Sequence, residues 1–260
     1  MRFAFTGERV VTSAGGFNPT WQRHVATYRL CAELLPHGRV LDAGCGVGHS
    51  FELLAPRETV GVDVDARSLA GQARETHQAD MRALPFADRS FDAVLSVQSI
   101  EHVPEPGAVL REFARVLRSG GVAVIVTPNR LTFARPDEVI DPYHYFELDP
   151  HQLRQLCQGY FDEVEILGLC GSETFQEFVR REHERLDALL ARDRLRVRRL
   201  IPRRLRQPLY DLMLSRSRRR PDPVASSISA DDFSLSADQV QRAYDLVAVC
   251  RGPLVSAGGA

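Results

Sequence analysis

Short apolar runs alternate with amphipathic stretches along most of the chain, and the alternation predicts strands followed by helices. The strands fall at about Arg39 to Ala43, Thr59 to Asp63, His77 to Asp80, Ala93 to Val97, Val122 to Asn129, Phe161 to Leu169 and Tyr244 to Cys250. Continuous apolar runs of this length, bounded by turn residues, suit strands buried on both faces of a sheet. A helical stripe of Val25, Tyr28, Leu30, Cys31, Leu34 and Leu35 predicts a helix from Thr20 to Leu35, ended by Pro36-His37-Gly38. Further helices are expected over Phe51 to Leu54 before Pro56, over Leu69 to Glu75, over Pro106 to Leu117 and over Pro150 to Gly159. Repeated strand-helix units with short connections are the pattern of an α/β, doubly wound parallel sheet.

Composition adds little until it is divided along the chain. The apolar content of 44% and net charge of −1 are ordinary for a globular protein, and 260 residues suffice for a full core. All 33 basic residues are arginine, however, and they cluster: residues 175 to 220 carry 15 Arg against 6 acids, whereas residues 1 to 174 carry 16 against 23. This basic block, with leucines at 186, 189, 190, 195 and 200, predicts a long helical pattern from Glu173 to Arg206, a second piece near Leu209 to Leu214 and a Pro/Ser-rich link from Arg219 to Ser229. The cysteines at 31, 45, 157, 170 and 250 are odd in number and widely spaced, which argues against a disulfide framework or a zinc site. No secretory signal is evident at Met1 to Arg9, and cytoplasmic residence is the default expectation.

The chemistry gathers where the first strand breaks. Asp42-Ala43-Gly44-Cys45-Gly46-Val47-Gly48 is a glycine-rich turn in which bare backbone can lie against a ligand. A dinucleotide fingerprint would need its third glycine where His49 stands, so that site fits poorly. Asp63, 19 positions after Gly44 at the end of the second strand, sits where a carboxylate can accept both hydroxyls of a ribose. Ala79-Asp80-Met81, Leu84-Pro85-Phe86 and Ser90-Phe91-Asp92 follow in order.

These segments together resemble the class I S-adenosylmethionine-dependent methyltransferase superfamily, over about residues 39 to 170 and the last strand. The resemblance implies a seven-stranded sheet whose last strand is antiparallel. It implies S-adenosylmethionine as cofactor, bound by Asp42, Gly44, Cys45, Gly46, Asp63, Val64, Asp80, Met81 and Gln98. In such proteins the acid of the glycine turn meets the methionine end, and Asp80 with Met81 brackets the adenine. Residues 1–38 then form a helical lead-in, 39–170 with 241–252 the cofactor-binding core, and 171–240 a basic insertion serving as a substrate lid.

At the end of the fourth strand stands Gln98-Ser99-Ile100-Glu101-His102, and after the fifth Asp141-Pro142-Tyr143-His144-Tyr145-Phe146-Glu147. Both loops open on the edge where open α/β sheets bind ligands, which makes His102, Glu101 and His144 the candidate catalytic residues. The first segment resembles the Glu-x-x-Glu-His of ubiquinone-biosynthesis and small-RNA O-methyltransferases, which hold a divalent metal there with a later histidine. Gln98 replaces the first acid, so metal binding stays open. The expected reaction is O-methylation of a small-molecule or lipid-like, anionic acceptor. A non-catalytic cofactor-binding protein and a methyltransferase of other acceptors are the alternatives. Contact with a membrane surface is a further reading of the basic block, while nucleic acid is disfavoured by the acidic body.

Overall fold

In a computed structural model of the chain, residues 18–48, 51–133, 139, 141–191, 201–202, 205–208, 210, 212 and 222–254 are described. The strands are β1 (Arg39–Ala43), β2 (Glu58–Asp63), β3 (Glu75–Gln78), β4 (Phe91–Val97), β5 (Leu117–Pro128), β6 (Phe161–Gly171), β7 (Phe233–Ser236) and β8 (Asp245–Pro253). They form one mixed sheet in the order β3-β2-β1-β4-β5-β8-β6-β7. The expected seven strands are thus eight. The extra strand, β7, has only four residues and pairs antiparallel along Gly168 to Gly171, the end of β6. So short an edge strand carries too little alternation to announce itself in sequence.

As expected, the last strand runs antiparallel, lying between β5 and β6. That placement sets Asp245 opposite Pro128, at the edge where β1, β2 and β4 also end. Alternate residues of the central strands feed two cores, which explains their continuous apolar runs. Leu41, Val94, Ile125 and Ala248 face one core with α2 (Pro106–Val116) and α3 (Pro150–Gln158), through Phe113 and Leu153. Val40, Leu95, Val124 and Val249 face the other with α1 (Asn18–Leu34), through Tyr28 and Cys31.

Helix starts follow local chemistry. At α3, Asp149 and Gln152 make a reciprocal capping box, with Pro150 in the first turn where its missing N–H is not needed. Two expected helices shrink: Phe51–Leu54 is a single 3-10 turn, and the expected Leu69 to Glu75 helix is one turn at Ala66–Leu69. Glycines and Pro56 close both before a second turn can form.

The basic block begins with α4 (Glu173–Leu190), whose Phe175 is buried in the second core. Its continuation through 192–200, with Leu195 and Leu200, lies outside the described residues. The far end returns as α5 (Pro223–Ser227), where the Asn18 amide donates to the Ala225 and Ile228 carbonyls, both at 2.7 Å. The ends of the segment are thus built into the body. No helix among the described residues is long and apolar enough to cross a membrane.

Candidate active site

The glycine turn is shaped by two requirements. Gly44 has φ +79°, and a Cβ there would come within 2.2 Å of Ser99 Oγ from the β4 loop. Gly46 has φ +53°, but no atom lies within 4 Å of where its Cβ would be. The first glycine lets two loops close on each other, and the second leaves a cradle open. The backbone N–H of Gly46 donates to Asp63 Oδ2 at 3.0 Å, while Asp65 N–H donates to Asp63 Oδ1 at 2.8 Å. Asp63 therefore ties the turn after β1 to the turn after β2 and stands beside the cradle. Val64 is 66% exposed next to it, an apolar face with nothing packed over most of it.

Asp42 was expected to face a ligand, and the structure places it elsewhere. Its carboxylate is fully buried, accepting from Tyr28 Oη at 3.0 Å and from Arg74 Nη2 at 2.7 Å. Strand alternation turns it beneath the sheet, where α1 and the residue before β3 supply its partners. Arg74 also donates to Gln72 Oε1, and Gln72 donates to the Gly46 carbonyl, so the buried pair anchors the turn from below. Cys45 is buried beside it, and burial with the Asp42 charge pushes its thiol up to about 12, so it is no nucleophile.

Met81 Sδ lies 3.7 Å from the Cβ position of Gly44, which puts it beside the turn. Asp80 is half-exposed and engaged by Arg82 at 2.7 Å, whose hydrogen bond lowers its pKa below the usual carboxylate range. Gln98 adopts φ 51°, and its side-chain amide donates to Asp245 Oδ1 at 3.1 Å.

Glu101, His102 and His144 do come together, with one ligand-type atom from each within 4.8 Å of the others. Glu101 is fully buried; Oε2 accepts from Thr127 Oγ1 at 3.1 Å, and Oε1 has no partner among the described residues. Its carbonyl accepts from Tyr145 N–H at 2.8 Å, which fastens the loop after β5 to the loop after β4. His102 Nδ1 lies 3.2 Å from the Tyr143 carbonyl oxygen. A carbonyl only accepts, so Nδ1 holds the proton and Nε2 is bare in the neutral ring.

Three groups were not anticipated. Arg23 on α1 pairs with Asp245 at 3.3 Å, and both are buried. Burial raises the Asp245 pKa to about 6 despite Arg23. Glu147 holds His144 at 2.9 Å. The only sequence signal for the first pair was a charge at 23, four residues before the buried Thr27, on the inward side of α1.

Residues 41–125 match the model of a methyltransferase domain family. Over this part the chain is similar to S-adenosylmethionine-dependent methyltransferases. A Mycobacterium tuberculosis protein named a probable S-adenosylmethionine-dependent methyltransferase is 36% identical over 176 residues, covering 64% of this chain and 63% of that protein. The chain thus spans under two thirds of that relative's length. Over a shorter stretch, 34% of this chain and 50% of the relative, it is 40% identical to a phosphatidylethanolamine N-methyltransferase of Cereibacter sphaeroides. A Thermotoga maritima S-adenosylmethionine-dependent methyltransferase shares the fold with TM-score 0.61 at 16% identity, covering 91% of this chain and 92% of that one.

The relatives are named S-adenosylmethionine-dependent methyltransferases, and the residues present fit that cofactor. Among the described residues nothing fills the cradle at Gly46, Asp63 stands at its rim and Val64 offers an exposed apolar face. Magnesium fits less well. Gln98, in the position of the first acid of the metal-holding segment, is a neutral amide turned to Asp245. The remaining set offers one carboxylate and two imidazoles, poor company for magnesium, which prefers oxygen.

Proposed function

We propose that the protein transfers the methyl group of S-adenosylmethionine to a hydroxyl of a small-molecule or lipid-like acceptor. One observation carries this reading: a buried carboxylate oxygen with no partner among the described residues and two imidazoles converge at the strand edge that also carries the glycine cradle. Gly44, Gly46, Asp63, Val64, Asp80 and Met81 hold the cofactor in this reading, while Asp42, Cys45 and Gln98 shape the walls behind it. Bound there, the cofactor supplies an electrophilic methyl on a sulfonium. The acceptor hydroxyl would meet Glu101 Oε1 and the imidazole pair, which would take its proton, while the cofactor would give up its S–CH3 bond and leave as S-adenosylhomocysteine. The printed names of relatives support a lipid-like acceptor: besides the phosphatidylethanolamine enzyme, an Arabidopsis thaliana tocopherol O-methyltransferase is 29% identical over 47% of this chain and 38% of its own length.

The test is release of S-adenosylhomocysteine over a panel of hydroxylated and amine acceptors. Turnover with amines alone would overturn the hydroxyl assignment, and turnover with none would favour a binding protein.

Cofactor binding has its own expected result. At a concentration about 100 times Kd, S-adenosylmethionine should stabilise the native state by about 2.7 kcal/mol. For a chain of this size, that raises Tm by roughly 5 to 10 °C. Asp63→Ala should shrink the shift, and NADH should produce none; an equal shift with NADH would remove the cofactor assignment.

The basic segment is proposed as a cover over the acceptor. Tyr210 Oη donates to Asp141 Oδ2 at 3.2 Å, and Gln207 reaches the Pro142 carbonyl, so the segment touches the loop that carries His144. Replacing residues 192–221 by a short Gly/Ser link leaves α4 and α5 on the body. The cofactor shift should persist in that variant while acceptor turnover falls several-fold. Loss of cofactor binding in a folded variant would instead assign the segment to the cofactor.

A further inference from the structure

We propose that Glu147 is a positioning residue of the acceptor site, holding His144 as the Nδ1–H tautomer so that its bare Nε2 is the nitrogen left for the acceptor proton. The inference rests on the hydroxyl-transfer reading above. Glu147 follows His144 by three residues on the loop between β5 and α3, and its Oε1 lies 2.9 Å from His144 Nδ1. Its carboxylate has no solvent exposure, and Oε2 finds no partner among the described residues. A buried carboxylate costs several kcal/mol unless it is paired. Here the charge is directed onto a single ring nitrogen. Solvation or packing gives no reason for an acid at this place, whereas fixing an imidazole does.

The surroundings point the same way. His144 is buried, with its ring centroid 5.1 Å from His102 and 5.4 Å from Phe133. Four titratable groups besides Glu147 face it or its partners. Glu101 and His102 come from the loop after β4, Asp141 comes from its own loop at 4.0 Å from Nε2, and Tyr210 of the basic segment acts through Asp141. Burial by itself would push the His144 pKa down, but the Glu147 hydrogen bond and the charges of Glu101, Asp141 and Glu147 outweigh it and leave the ring above the usual histidine range. An acid fixing one ring nitrogen while the other meets the reacting proton is the division of labour of a nucleophile, a base and an orienting acid, in which the acid sets the tautomer.

The sign of the pH effect follows. The neutral ring is the active base, so activity rises with pH through the pKa of His144. Removing the Glu147 charge makes the protonated ring less stable, and the acid limb moves to lower pH. Glu147→Gln keeps the shape and removes the charge. It should lower kcat with KM little changed, and shift the acid limb of the kcat profile down by about one unit. Glu147→Asp should restore part of the limb position.

The second measurement needs no turnover. With histidine labelled in 15N and the protein saturated with S-adenosylhomocysteine, His144 should show the Nδ1–H tautomer and titrate at lower pH in Glu147→Gln. If the wild type turns over no acceptor, the hydroxyl reading fails, and this titration still decides whether Glu147 sets the state of His144. An unmoved titration overturns the proposal. A moved titration with an unmoved kcat limb overturns its catalytic part, leaving Glu147 a structural partner. A retained cofactor-induced rise in Tm shows that the variant is folded.

Discussion

Gly46→Val should abolish measurable cofactor binding, lowering affinity at least about 100-fold, a loss of roughly 2.7 kcal/mol or more in binding. Two effects combine. A β-branched residue at φ +53° is strained, by about 1–2 kcal/mol, and its side chain would enter the space of the cradle. Because no atom of the described residues lies in that space, the fold itself loses little beyond the strain, and Tm should fall by only about 2 to 8 °C. Gly46→Ala should lie between the two. Titration calorimetry with S-adenosylhomocysteine checks the result; normal affinity in a folded Gly46→Val protein would show that the cradle is not the site. Gly44→Val would be a poorer test, because its side chain would strike Ser99 and disturb the loop after β4 in any case.

His102→Ala should lower turnover about 100-fold while leaving cofactor affinity almost unchanged, the pattern of a group acting on the acceptor alone. The half-buried His102 is the more open of the two imidazoles, and the Tyr143 carbonyl keeps its Nε2 bare. With Gln98 bound to Asp245 and not joining the cluster, turnover should also survive EDTA. Activity lost to the chelator and restored by manganese or zinc would overturn the second expectation. A rise in cofactor Kd with kcat intact would place His102 in the cofactor wall and leave His144 as the base.

Sequence went furthest where the chemistry is local. Gly44, Gly46, Asp63 and Met81 stand close in number to the turns they shape, and a bare turn needs glycine whatever surrounds it. The runs at β4 and β5 were readable because both faces of those strands are covered, which demands unbroken apolar residues. The meeting of Glu101, His102 and His144 was half legible: each stood in a stretch that follows a central strand, and parallel strands end on one edge.

What the sequence could not show depends on which distant segments meet. Asp42 looks free in the motif, yet Tyr28 and Arg74 claim its carboxylate, one from α1 and one from the approach to β3. Arg23 and Asp245 are 222 residues apart and become partners only because β8 enters the sheet between β5 and β6. Glu147 is near His144 in number, but its role is visible only once both are buried, since an exposed acid three residues from a histidine fixes nothing. The sequence by itself determined the α/β alternation, the glycine turn and the edge on which the candidate residues fall, because each is a property of short segments. Tertiary structure alone decided which acids are occupied and which imidazole is oriented, because burial and pairing are set by the order of strands in the sheet.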